Sequence, residues 1–259
     1  MLQTPSFRIK TKVWPMNTVA IETPASPKRL FFVVMASAVI ATVFAGFAPT
    51  FYLRGSFTQD RPMSLLLHIH GIVFSAWVTV FLVQTLLVAR GSRRLHQRLG
   101  WVAVGIAATM VVLVMAAMVE QLRRVGGFPP PPLALALSTF DIVVFAILVG
   151  AAIYCRKQPD WHKRFVLSAT ILLLGAPMFR LVIHYARITD MSKVGIVTTL
   201  LVDAFFLPCF AYDLVTRRRI HPAYFVALLL IVLDQIAQVK VVPWTPWINL
   251  SNAMQRLVT

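Results

Sequence analysis

Seven stretches of this chain, each about 20 residues long and nearly free of charge, leave it one class of fold. A run of that length matches the hydrocarbon core of a bilayer when it is helical. In lipid, every backbone N–H and C=O must also find its partner within the segment or a closed barrel. The runs fall at roughly 30–52, 63–89, 100–122, 133–155, 164–186, 194–215 and 222–242. The expectation is an all-α integral membrane protein of seven transmembrane helices, in three parts: a basic tail over 1–29, the membrane domain over 30–242 and an outer tail over 243–259. Composition agrees, because 58% of the residues are apolar and 13% are charged. Soluble domains run to about 45–50% and about 25%.

A net charge of +16 would suggest nucleic acid in a soluble protein. Here the lysines and arginines lie between the apolar runs, where they set orientation and meet anionic lipid headgroups, so nucleic acid is set aside as a partner. The N-terminal tail and the loops after helices two, four and six carry five, four, four and three basic residues. The opposite loops carry pairs: Arg54 and Arg61, Arg123 and Arg124, Arg187 and Lys193. The positive-inside rule then places the N-terminus in the cytoplasm and the C-terminus outside, with Trp244 and Trp247 at the outer interface. Residues 1–29 lack the apolar core of a secretory signal, and Met16 is an alternative start to Met1. A bacterial inner membrane is the expected location. Cys155 and Cys209 form no disulfide framework and read as packing residues.

An internal echo runs through the basic loops. Arg90, His96 and Arg98 recur at an offset of 66 residues as Arg156, His162 and Arg164, with a weaker third copy at Arg217 to His221. Helix one followed by three parallel hairpins (2–3, 4–5 and 6–7) is the architecture this implies.

Polar residues inside the apolar runs are the candidates for function, since desolvating them is costly. His68 and His70 stand two apart on helix two and so face different ways. One stripe holds His70, Trp77 and Gln84; another holds His68, Gly71 and Ser75. At 1.5 Å per residue, His70 lies roughly 10 Å, His68 roughly 8 Å and His184 roughly 5 Å below the outer surface. Arg180 and His184 share a face of helix five, and Glu120 ends helix three at similar depth. This set predicts an outer-leaflet site in which His70 and His184 bind haem or a transition metal for electron transfer. His68 is a substitute ligand, Glu120 a hard metal ligand, and Arg180 the partner of a propionate or carboxylate.

Asp141, Asp203 and Asp234 lie near mid-membrane, with Gln238 on the face of Asp234. They fit either a proton relay in a small-molecule or proton-coupled transporter, or hydrogen-bonded ties between helices; Arg180 is the only basic residue deep enough to pair with them. A ligand-free scaffold or assembly factor is the third reading. His96, His162 and His221 read as interface residues beside headgroups, and Asp213 as a local partner of Arg217. Whether the protein is an enzyme is left open.

Two motifs carry a resemblance. His68-Ile69-His70-Gly71 with Trp77 and Gln84, then Leu95-His96-Gln97-Arg98-Leu99-Gly100-Trp101, resembles a group of bacterial multi-pass membrane proteins of unknown function with H-x-H-G and L-H-R-R-L-G patterns. Trp161-His162-Lys163-Arg164-Phe165 with Arg180 resembles the H-x-R-x-M-x-R-S and distal arginine element of related families. The likeness covers helices two to five and implies fold and topology; Phe165 to Leu167 stand where those relatives tend to carry methionine. A looser likeness to cytochrome b561-type proteins implies haem b.

Overall fold

The computed structural model describes residues 27–57, 63–123, 130–188 and 190–259, with side chains from residue 30 onward. Among these the chain is helical, with no strand, and seven segments are long and apolar enough to cross a membrane. Most of the N-terminal tail and the Gly126-Gly127 to Pro129 turn lie outside the described residues.

The first span is α1 (Pro27–Phe47), extended by a π-turn (Ala48–Tyr52) and followed by the short α2 (Arg54–Phe57). α3 (Leu65–Ala89) and α4 (Arg93–Leu122) form the second and third spans, and α5 (Pro131–Tyr154) is the core of the fourth. The fifth is broken into α6 (Pro159–Leu172) and α7 (Gly175–His184), and the sixth into α8 (Met191–Ala204) and α9 (Phe206–Arg217). α10 (Pro222–Val241) is the seventh. Prolines open α5, α6 and α10, where the missing N–H has no intrahelical partner to lose.

Prolines also explain the three irregularities. A proline inside a helix removes the bond to the carbonyl four residues back and crowds it. Pro177 points back to Leu173 and Pro208 to Ala204, where α6 gives way to α7 and α8 gives way to α9. Pro49 sits in the π-turn, where Leu53 N donates to Ala48 O at 2.8 Å with a five-residue spacing.

The fifth span is the hub. It packs against α1, α5, α8 and α10, and around α6 every residue from Leu167 to Leu172 is buried. A helix buried all round occupies the interior of a bundle. α1 lies against both α3 and α7, and Gly46 is what brings it close to α7. A Cβ on Gly46 would fall 2.4 Å from the Pro177 carbonyl oxygen. The expected hairpins appear as α3 on α4 and α5 on α6, while the third is joined through Phe206 and Phe210 against Tyr224.

Residues 243–259, read from the sequence as a C-terminal tail, hold one further helix: α11 (Thr245–Val258) folds back over the ends of α5 and α4. Trp247 Nε1 donates to Pro132 O at 2.9 Å, and Gln255 Nε2 donates to Leu122 O at 3.1 Å. Trp247 also stacks on Phe140, so it tethers α11 to α5.

Candidate functional site

The two stripes of α3 face different neighbours, as their spacing requires. His68, Gly71 and Ser75 face the π-turn of the first span. Tyr52 Oη and Ser75 Oγ are 2.6 Å apart, and the Phe51 ring fills the space beside Gly71. His68 itself is exposed, with Nδ1 2.9 Å from Ser64 O.

His70, Trp77 and Gln84 face α4 and α5. Trp77 is buried edge-on against Phe145, and Gln84 lies beside Gly100 and His96. His70 stacks on Phe74, with one edge toward the main chain of Leu113, while its Nδ1 is buried without a hydrogen-bond partner.

Arg180 lies within electrostatic reach of His70. Its guanidinium covers the Phe47 ring at 4.5 Å and donates to Ala176 O at 3.0 Å. Glu120 Oε2 accepts a 2.7 Å bond from Ser64 Oγ, which ties the C-terminal end of α4 to the start of α3. His184, the last residue of α7, is exposed. No group of three or more His, Cys, Asp or Glu with metal-binding geometry occurs among the described residues. The expected constellation is therefore brought together only in part, around His70 and Arg180.

The mid-membrane acids are bound by amides rather than by Arg180. Gln238 Nε2 donates to Asp141 Oδ1 at 2.7 Å and to Asp234 Oδ2 at 3.0 Å, linking the fourth and seventh spans. Gln235 Nε2 donates to Asp203 Oδ1 at 3.1 Å, linking the sixth and seventh. The expected role of Arg180 as their partner is thus not realised, because its reach is spent on Phe47 and its own helix.

The richest polar cluster is at the basic end, around an arginine whose sequence context reads as a loop charge. Arg164 is wholly buried and grips Asp213, also wholly buried, through two guanidinium nitrogens; Nε to Oδ2 is 3.0 Å. Its Nη1 donates to Asp160 O at 2.8 Å, and its guanidinium lies over the Tyr224 ring. Asp213 Oδ2 also accepts from His221 N at 2.9 Å. Arg217 reaches Asp160 at 2.8 Å instead of pairing with Asp213, which corrects the local pairing expected from their spacing. A forked guanidinium satisfies two acceptors at once, which makes arginine the usual choice for a buried ion pair.

His221 caps α10, its Nδ1 accepting from Ala223 N at 3.1 Å, so the ring is neutral there. Burial, then the nearby Arg164 and Arg217, holds its pKa below the ordinary histidine value. The first two hairpin turns also meet. The rings of His96 and His162 are 6.2 Å apart, nearly perpendicular. The signal for this end was present in the echo, which aligns His96 with His162 and Arg98 with Arg164. What the echo does not reveal is that Arg164 faces inward.

Comparison of the chain with protein-family models, curated proteins and solved structures finds no match.

Proposed function

We propose that this protein is an electron-transfer protein of a bacterial inner membrane, binding haem or a transition metal through His70. The supporting observation is the buried, unpartnered Nδ1 of His70. Leaving such an atom unsatisfied costs about 1–3 kcal/mol, and a coordinated metal removes that cost. With no cluster of three ligands among the described residues, a centre that brings most of its own ligands suits His70 better than a bare ion. Haem iron, with four porphyrin nitrogens, does so and supplies one-electron chemistry. Arg180, held in place by Phe47 and Ala176 O, offers positive charge to a propionate. His184, exposed one turn beyond Arg180, is the second candidate ligand, with His68 a substitute and Glu120 a further oxygen donor.

Charge asymmetry supports the N-terminus inside and the C-terminus outside, with the basic loops against anionic headgroups. Transport through Asp141, Asp203 and Asp234 is the weaker reading, because each is engaged by an amide that ties two spans together.

The test is an absorption spectrum, oxidised and reduced, with metal analysis of the protein purified in mild detergent. The expected result is a bound centre lost in His70→Ala while the variant still inserts; loss in His184→Ala as well would make it a two-histidine centre. A colourless, metal-free wild-type protein would overturn the reading and favour a ligand-free scaffold.

A further inference from the structure

We infer that His96 and His162 form a second site, independent of His70, which binds one cuprous ion between the first two hairpin turns. His96 lies in the first turn of α4 and His162 in the first turn of α6, and their ring centroids are 6.2 Å apart. Two imidazoles bound linearly to one metal are spaced at roughly this distance: two bonds of about 2 Å plus half a ring on either side.

His162 also has the arrangement of a ligand held from behind. His162 Nδ1 is 2.8 Å from Ala152 O, which fixes the proton there and leaves the Nε2 lone pair available. His96 lies against the main chain of Gln84, and its Nδ1 is buried without a partner. Ligating histidines ordinarily turn their other nitrogen to a carbonyl or carboxylate, as His162 does to Ala152 O.

Ligand number and charge select the ion. Zinc in structural sites takes four protein ligands, and no third histidine, cysteine or carboxylate completes a cluster among the described residues. A closed-shell cuprous ion is satisfied by two nitrogens in line. Arg93, Arg94 and Arg98 flank His96 in sequence, Lys163 beside His162 is paired with Asp160 at 2.7 Å, and two helix N-termini start beside the histidines. That positive surrounding opposes a divalent ion more than a monovalent one.

The experiment is anaerobic titration of the full-length protein in detergent with cuprous ion, against a chromogenic cuprous chelator. Wild type is expected to hold one equivalent at this site. His96→Ala and His162→Ala should each weaken it by more than about 100-fold, beyond what an outer-shell change costs. His162→Asn keeps a donor for Ala152 O and guards against a folding artefact; it should melt like wild type and still lose the ion. His70→Ala should leave this equivalent unchanged, so the failure of either site is visible separately. Wild-type binding no tighter than that of the double alanine variant would overturn the proposal. So would a Soret band that disappears in His96→Ala, which would place haem there instead.

Discussion

The Phe51 ring lies against Gly71 so closely that a Cβ on that glycine would fall 2.4 Å from the ring edge. The glycine of the H-x-H-G pattern is therefore a packing device: it lets the π-turn of the first span seat on α3 and brings Tyr52 to Ser75. Gly71→Ala is expected to destabilise by about 1–3 kcal/mol, the usual range for overpacking, and Gly71→Leu by more. Thermal unfolding in detergent checks this, and Phe51→Ala combined with Gly71→Leu should recover part of the loss. Gly46→Ala should be harder to rescue, because its obstacle is the Pro177 backbone.

Removing one partner of the buried Arg164–Asp213 pair strands the other charge. Arg164→Leu or Asp213→Asn should cost about 3–5 kcal/mol, whereas replacing both by apolar residues should cost less than either alone. Arg164→Lys keeps the charge but not the fork, and should fall between wild type and Arg164→Leu. Denaturation midpoints of the four variants test the order.

The amide–carboxyl ties predict a different pattern. Asp141→Asn retains an acceptor for Gln238 and should leave stability nearly unchanged, whereas Asp141→Leu loses it, at about 0.6 kcal/mol per intramembrane bond plus packing. A folded Asp141→Asn protein that loses a measured proton flux would instead establish the transport reading.

Acid should weaken the start of α10. The folded-state pKa of His221 is lowered, so its contribution is complete above the ordinary value of 6.5 and is lost as pH falls through the folded value. Protonation of Nδ1 removes the acceptor for Ala223 N, a cap worth about 1 kcal/mol. His221→Asn caps without titrating, so its stability should fall less steeply below pH 6.5 than that of wild type.

Orientation is testable with cysteines introduced at Ser92 and Met191, both exposed and at opposite ends of the bundle, in a background lacking Cys155 and Cys209. An impermeant reagent outside intact cells should label position 191 and spare position 92. Labelling at 92 alone would invert the topology.

The spans were legible because hydropathy and length decide them, and the α3 stripes because helical spacing divides His68 from His70. The inward turn of Arg164 was not, since a basic residue at the end of an apolar run reads equally well as a headgroup contact. Asp213 sits four residues from Arg217, which gave a local partner priority over one 49 residues away in sequence. The helix over 245–258 is not legible in the sequence because Pro243 and Pro246 flank its start and no apolar run marks it. Its anchors, Trp247 to Pro132 O and Gln255 to Leu122 O, are long-range side-chain bonds that no periodicity announces.

The separation of Arg164 from Asp213 also sets a schedule for making the protein. At about 5–20 residues per second, the ribosome finishes Asp213 roughly 2–10 s after Arg164. Through that interval the counter-charge this guanidinium meets among the described residues is Asp160, on its own helix. The buried pair therefore closes only after the sixth span, which carries Asp213, has been made.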